Sequence, residues 1–280
     1  MGYIKDDIYN TALPILIIEE KKRHTDYPQI GWGDEGSIHK YNDQIAFKTF
    51  DFTPDKEKLP RKFEKIELLG RLQDPAACFP IGLVGYEDMK KEGYYCDLVN
   101  KLEEYGNFED LELLKDKKQV IGYTIQADEA IQRFHKMGII LGDIKGKNIM
   151  IDCNGNVKFV DTDNWMYAGY DFDLMPDRAS WLKNIYKRDF SLVDNDRFVF
   201  AVMAIQYFVD GSIIRLHRTD FYFRKMIELM DVSQEVKDGL RLIFSDANEK
   251  PYVGPILKLI NPEQKLLSKE AISRINRIYY

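Results

Sequence analysis

The sequence predicts an α+β protein of two lobes: a small antiparallel β-rich lobe with one helix over residues 1–99, and a larger, mainly helical lobe over 100–280. Two observations predict this. Between Tyr27 and Phe50 apolar residues alternate and glycines punctuate, the period of strands in a half-buried sheet. Beyond Val99 apolar residues recur at spacings of three and four, the period of helices, so residues near Asn100 are the expected hinge.

The elements follow in order. Residues 1–25 carry little pattern, and only Ile15 to Ile18 offers an extra strand. Ile38 to Tyr41, the turn Asn42-Asp43 and Ile45 to Phe50 read as strand, turn and strand. Arg61 to Leu72 reads as a helix with Phe63, Ile66, Leu69 and either Leu72 or Leu68 on one face, ended by Pro75 and Pro80. Ile81 to Gly85 and Gly93 to Val99 are strands on either side of the charged turn Glu87 to Glu92. Val120 to Met137 is a long amphipathic helix closed by Gly138. Ile149 to Ile151 and Val157 to Val160 flank Asn154-Gly155, a strong hairpin signal. From Asp194 the chain is mostly helical, with Asp194 and Ser233 as capping residues, and Ser268 to Tyr280 reads as a packed amphipathic helix.

Composition narrows the class. A chain of 280 residues can bury a sizeable core, and 45% hydrophobic with 31% charged residues excludes a disordered chain. Forty basic against forty-six acidic side chains give a net charge of −6, which argues against nucleic acid as a partner. Cys78, Cys96 and Cys153 are odd in number and widely spaced, so neither a disulfide framework nor a zinc site is expected, and a reducing, cytoplasmic setting is. The apolar run Ala12 to Ile18 is too short to span a bilayer and Pro14 interrupts it; no membrane association is expected. Oligomeric state is not legible.

The chemistry concentrates in Gly138 to Met150. Asp143, Lys145 and Asn148 lie between a helix and a strand, and Asp161 follows eighteen residues after Asp143, across the hairpin. Phosphoryl transfer from a nucleotide needs these groups: a carboxylate for the acceptor hydroxyl, a cation for the γ-phosphate, and an amide plus a second carboxylate for Mg²⁺. Upstream, Gly31-Trp-Gly-Asp-Glu-Gly36 is glycine-rich, but strands follow it and no helix does, so it fits a hairpin flap better than a dinucleotide-binding turn. Lys48, on the strand Ile45-Ala-Phe-Lys48, points under that flap and needs a carboxylate to hold it. Glu64 on helix 61–72 is the expected partner, with Glu67 the alternative.

In these residues the chain resembles the protein kinase family, over roughly residues 27 to 260. Gly31 to Gly36 resembles the glycine-rich loop and Ile45 to Lys48 the Val-Ala-Ile-Lys strand. Asp143-Ile-Lys-Gly-Lys-Asn148 is similar to the catalytic loop Asp-Leu-Lys-Pro-Glu-Asn, and Lys158-Phe-Val-Asp161 to the strand entering Asp-Phe-Gly. Asp196-Arg-Phe-Val-Phe-Ala and Ser245-Asp-Ala-Asn-Glu-Lys-Pro251 resemble the start of the buried C-lobe helix and a late turn of the domain. The resemblance implies a bilobal kinase-like fold with ATP and Mg²⁺ as cofactors.

It also implies roles. Asp143 would accept or orient the hydroxyl, Lys145 would face the γ-phosphate, and Asn148 and Asp161 would hold Mg²⁺. Lys48, fixed by Glu64, would hold the α- and β-phosphates beneath Gly31, Gly33 and Gly36. Ile38 and Ala46 would cover adenine, Cys96 would stand behind it, Asp97 to Val99 would offer backbone hydrogen bonds and Met150 would lie beneath. Asp163 would approach a second metal or cap a turn, the turn being favoured; Asp196 would accept hydrogen bonds from the backbone of the catalytic loop, and His135 would be a cation at a helix C-terminus.

The departures matter too. His-Arg-Asp is Leu141-Gly142-Asp143, so the Arg that reads a phosphorylated activation loop is absent, and independence from loop phosphorylation is expected. Asp-Phe-Gly is Asp161-Thr162-Asp163, and an Asp177–Lys250 pair is expected where the family has Glu with Arg. The leading expectation is a serine/threonine protein kinase acting on a Ser or Thr of a protein substrate. The alternatives are a small-molecule kinase of the aminoglycoside or choline phosphotransferase type, favoured by Gly142, and a nucleotide-binding pseudokinase scaffold.

Overall fold

A computed structural model describes residues 3–5, 13–18, 26–33, 35–50, 59–86, 91–101, 106–113, 116–171, 181–206, 220–263, 267–268, 270–271 and 273. The protein is α+β. It divides into two compact units, residues 1–100 with 158–173, and residues 101–157 with 174–280.

The first unit is built on a seven-stranded, mostly antiparallel sheet. Its strands are β1 (Tyr3–Lys5), β2 (Ile15–Ile18), β3 (Gln29–Gly33), β4 (Gly36–Lys40), β5 (Ile45–Phe50), β6 (Gly82–Tyr86) and β7 (Lys91–Asp97), in the order β1-β2-β6-β7-β5-β4-β3. Ile15 to Ile18 is therefore a strand, and it pairs in parallel with β6. Helix α1 (Leu59–Leu69) turns Phe63, Ile66 and Leu69 inward. Phe63 and Ile66 join Ile15, Ile17, Phe50, Leu83 and Tyr94 in one core cluster. Leu16, Ile18, Phe47, Val84 and Tyr95 form a second cluster. Residues on one strand alternate between the two clusters, so the middle of the sheet is buried on both faces.

Residues 158–171 were expected in the larger lobe but belong to the first unit. The cause is main-chain pairing. Phe159 donates to the Ala76 carbonyl at 2.6 Å and accepts from the Cys78 N–H at 2.8 Å, and Thr162 Oγ1 donates to the Cys78 carbonyl at 3.2 Å. Residues 74–78, placed by the sequence only as the end of a helix, act as an extra rail for this return segment.

The second unit holds helices α2 (Lys117–Lys136), α3 (Trp181–Tyr186), α4 (Leu192–Gln206), α5 (Asp220–Leu229), α6 (Gln234–Ile243) and α7 (Gly254–Leu257), and the strand β8 (Ile149–Ile151). Asp116 caps α2 by accepting from the N–H groups of Lys118 and Gln119, and Gly138 follows its end with φ +79°. Helix α4 is buried from Phe198 to Ile205, a stretch that is apolar all round. Phe198, Phe223 and Phe244 pack at centroid distances of 4.5 to 5.7 Å. Ser233 caps α6 as expected, accepting from the Val236 N–H. Asp194 does not start α4; Ser191 does, its hydroxyl accepting from the Asp194 N–H at 3.0 Å. The turn 152–156, leading into β9 (Val157–Phe159), is closed by Asp152, whose Oδ1 accepts from the N–H groups of Asn154 and Asn156. Among the described residues no helix is long and apolar enough to cross a membrane.

Candidate functional site

Within the first unit six side chains from five elements converge. Lys48 on β5 faces Ile38 across β4 and Tyr94 across β7, while Ala46 faces Cys96. Cross-strand partners point to one side, so Ile38, Ala46, Lys48, Tyr94 and Cys96 share the sheet face that α1 covers. The β3–β4 turn adds Glu35, α1 adds Lys62, and the residues after β9 add Asp161 and Asp163.

Lys48 Nζ donates to Asp161 Oδ1 at 2.6 Å and to Asp163 Oδ1 at 3.0 Å. Lys62 Nζ lies 3.1 Å from Asp163 Oδ2 and 3.0 Å from Glu35 Oε2; the same Glu35 oxygen is 3.7 Å from Lys48 Nζ. Tyr94 OH donates to Asp163 Oδ1 at 2.8 Å, and the Lys62 ammonium sits 4.4 Å from the Phe50 ring centroid. Asp163 is wholly buried, whereas the Asp161 side chain is 34% and that of Glu35 18% exposed. The cluster thus has a sealed inner anion and two outer ones.

The charge states follow. Burial alone would push the Lys48 amine down, but Asp163, Asp161 and Glu35 outweigh it and hold the amine above its ordinary value. Burial would likewise push the Asp163 carboxyl up, but Lys48 and Lys62 hold it well below the usual carboxylate range. Glu35 goes the other way: burial, then the charge of Asp163, raise its carboxyl against the pull of Lys62 and Lys48. Burial also pushes the Cys96 thiol well up, and that of Cys78 to about 12.

Asp161 adopts φ +60°, ψ +43°, a left-handed conformation that costs an ordinary residue about 1–2 kcal/mol and that Asp tolerates better than most. The glycine-rich stretch is the expected hairpin, β3 and β4 pairing in antiparallel register. Gly36 serves the sheet itself, since a Cβ there would stand 1.9 Å from the Thr49 carbonyl oxygen.

Within the second unit the loop 141–148 is pinned from below. Asp196, on α4, accepts from the N–H groups of Leu141 at 2.8 Å and Gly142 at 2.9 Å, the role expected of it. Gly142 has φ +69°, so glycine is the relaxed residue there. The Asp143 carboxylate meets Lys145 Nζ at 2.9 Å through Oδ2, while its Oδ1 is buried with no hydrogen-bond partner among the described residues. Asn148 Nδ2 donates to the Asp143 carbonyl at 3.4 Å, which leaves the carboxamide oxygen as a donor to a cation. Met150, on β8, is half-buried.

Several expectations are corrected. Glu64 does not hold Lys48: it is exposed and accepts from Tyr170 OH at 2.9 Å. The reason is helix phase. Lys62, Phe63, Ile66 and Leu69 face inward, and Glu64 sits about 200° around the helix from Lys62 at roughly 100° per residue. Glu67 pairs instead with Lys91 at 2.9 Å. Asp163 is no turn cap but the central anion of the cluster. His135 does stand in the last turn of α2, but its side chain is buried, with Nε2 3.2 Å from Asp196 Oδ2 and Nδ1 2.9 Å from Tyr252 OH, so it also supports Asp196. The Asp177 half of the proposed pair with Lys250 lies outside the described residues; Lys250 is fully buried, and its Nζ donates to the Ser245 carbonyl.

Glu35, Lys62 and Tyr94 were not anticipated. A signal existed for Lys62, because it recurs with Ile66 and Leu69 at spacings of four and three, a charge on the apolar stripe. Tyr94 falls in the period-two set that includes Cys96.

No protein-family model matches the chain, and no curated protein matches it.

Among the described residues no group of three or more His, Cys, Asp or Glu is arranged to hold a metal ion. Within the first unit the carboxylate of Asp161, and within the second the carboxamide oxygen of Asn148, are each the kind of hard oxygen donor that a divalent cation takes.

Proposed function

We propose that the protein is an ATP- and Mg²⁺-dependent phosphotransferase of bilobal protein-kinase-like fold, a serine/threonine protein kinase that needs no phosphate on its activation loop. One observation carries the reading: Lys48 and Asp161, 113 residues apart in sequence, form a 2.6 Å ion pair. A lysine for the α- and β-phosphates beside a carboxylate for the metal is the juxtaposition this chemistry needs.

Asp143 and Lys145 support it. The buried Oδ1 of Asp143, with no hydrogen-bond partner among the described residues, is an acceptor for a proton donor such as a substrate hydroxyl, and Lys145 on the other oxygen is the cation for charge developing on the transferred group. Asp196, backed by His135, holds that loop through its backbone, which supports independence from loop phosphorylation. Thr162 is buried against Cys78, which removes one hydroxyl of the segment as a modification site. Asn148 and Asp161 would hold Mg²⁺, which supplies charge neutralisation on the phosphates. Ile38, Ala46 and Cys96, on the same sheet face as Lys48, would border the adenine. A cytoplasmic setting belongs to the same reading.

The test is incubation with labelled ATP and Mg²⁺ and a generic protein acceptor, comparing the natural chain with Asp143→Ala and Asp161→Ala. Label on the protein, lost in both variants, is the expected result. Label appearing only on small hydroxylated metabolites would move the reading to a small-molecule kinase. ATP binding without transfer would leave a scaffold.

A further inference from the structure

We infer that Lys62 is a second phosphate-binding cation and that Glu35 is its resident counter-ion, exchanged for a phosphate group when nucleotide binds. The inference rests on the phosphotransferase reading and deepens it.

Lys62 is a charge on an apolar face. It projects from the buried side of α1, where Phe63, Ile66 and Leu69 pack, and its ammonium there neutralises the buried Asp163. Its position offers more than that. Its ammonium and that of Lys48 share two anions, Asp163 and the single oxygen Glu35 Oε2. An oxygen bridging two ammonium groups is the geometry of a phosphate oxygen held between two lysines.

The three carboxylates are not equivalent. Asp163 is sealed, and both its oxygens accept from Lys48. Asp161 is tied to Lys48 at 2.6 Å. Glu35 is the loosest: its distance to Lys48 is 3.7 Å, it is partly exposed, and it stands on the turn between Gly33 and Gly36. Burial and the charge of Asp163 also disfavour its ionised form. Two ammonium groups against three carboxylates leave one anion in excess, and Glu35 is the one whose departure neither exposes the core nor unbalances the lysines. A phosphate of higher charge in its place would make stronger charge-assisted hydrogen bonds to both.

The experiment is titration calorimetry with Mg·ATP and, separately, with inorganic tripolyphosphate, on the natural chain, Glu35→Gln, Lys62→Gln and Lys62→Arg, with steady-state transfer kinetics alongside. Glu35→Gln is expected to tighten both ligands about tenfold, Lys62→Gln to weaken both about tenfold, and Lys62→Arg to stay within about threefold of the natural chain. In transfer, Lys62→Gln is expected to raise KM more than it lowers kcat. Unchanged or weaker binding by Glu35→Gln overturns the exchange, and natural affinity in folded Lys62→Gln overturns the cation. Should Lys62→Gln not fold, Glu35→Gln decides alone. Tighter tripolyphosphate binding with no ATP preference and no transfer would sustain the two-lysine site and sink the phosphotransferase reading. Normal transfer with both variants unchanged would do the reverse.

Discussion

Lys48 and Asp161 meet at 2.6 Å although 113 residues separate them, and Asp163 completes the grip from inside at 3.0 Å. Two aspartates one residue apart on either side of Thr162 thus have different tasks, because only one of them reaches the surface.

The first prediction separates those tasks. Asp163→Asn is expected to cost about 3–5 kcal/mol in urea unfolding, since it strips the shared anion from two buried ammonium groups. Asp161→Asn is expected to leave stability within about 1 kcal/mol and to reduce transfer by two or more orders of magnitude, roughly the scale of losing one electrostatic catalytic group. Equal stability losses would refute the division.

Acid titration gives a second check on Asp163. Its carboxyl is held below the usual range in the folded state, so its contribution is present above the ordinary carboxylate pKa and is lost only as pH falls through the depressed one. The Asn variant is therefore expected to show a shallower loss of stability on acidification, read from melting temperatures across the acid range.

Glu35 has the opposite sign. Its carboxyl is raised, so above the ordinary carboxylate range the unfolded chain sheds a proton more readily than the folded one, and stability falls as pH rises. Glu35→Gln removes that cost. Its melting temperature is expected to exceed that of the natural chain at neutral pH, with the difference vanishing below the carboxylate range.

Asp196→Ala is expected to destabilise by about 1–3 kcal/mol for each backbone N–H left unsatisfied, those of Leu141 and Gly142. Hydrogen exchange at these two loop amides should speed up before exchange in α4 does. Uniform acceleration throughout the unit would show that Asp196 is merely a packing residue.

Glu64→Ala is the control. With its carboxylate on Tyr170 at the surface, its removal is expected to leave transfer within about twofold, the usual scale for an exposed pair. A large loss of activity would restore Glu64 as the partner of Lys48.

How much of this was legible in the sequence depended on the range of the interactions. Strand β5 was placed residue for residue, and α2 within three residues, because alternation and three-four spacing are local. Lys48 beside Asp161 followed from motif order. The phase of α1 did not: choosing Glu64 required knowing which way the helix rolls on the sheet, and that is set by Phe50 and Phe63 packing across distant positions. The same holds for residues 158–171, whose allegiance rests on backbone bonds to Ala76 and Cys78 that no side-chain pattern announces.

The sheet-bearing unit is assembled from two stretches of chain with more than fifty residues of the other unit between them. During synthesis its first hundred residues emerge with Lys48 and Lys62 already in place but without the aspartates that neutralise them. Until residue 163 leaves the ribosome, both ammonium groups lack Asp163, the sealed anion they share, so this half of the molecule is expected to wait for the later segment before it locks. A truncation at residue 100 would for the same reason yield a fragment that cannot close its own interior.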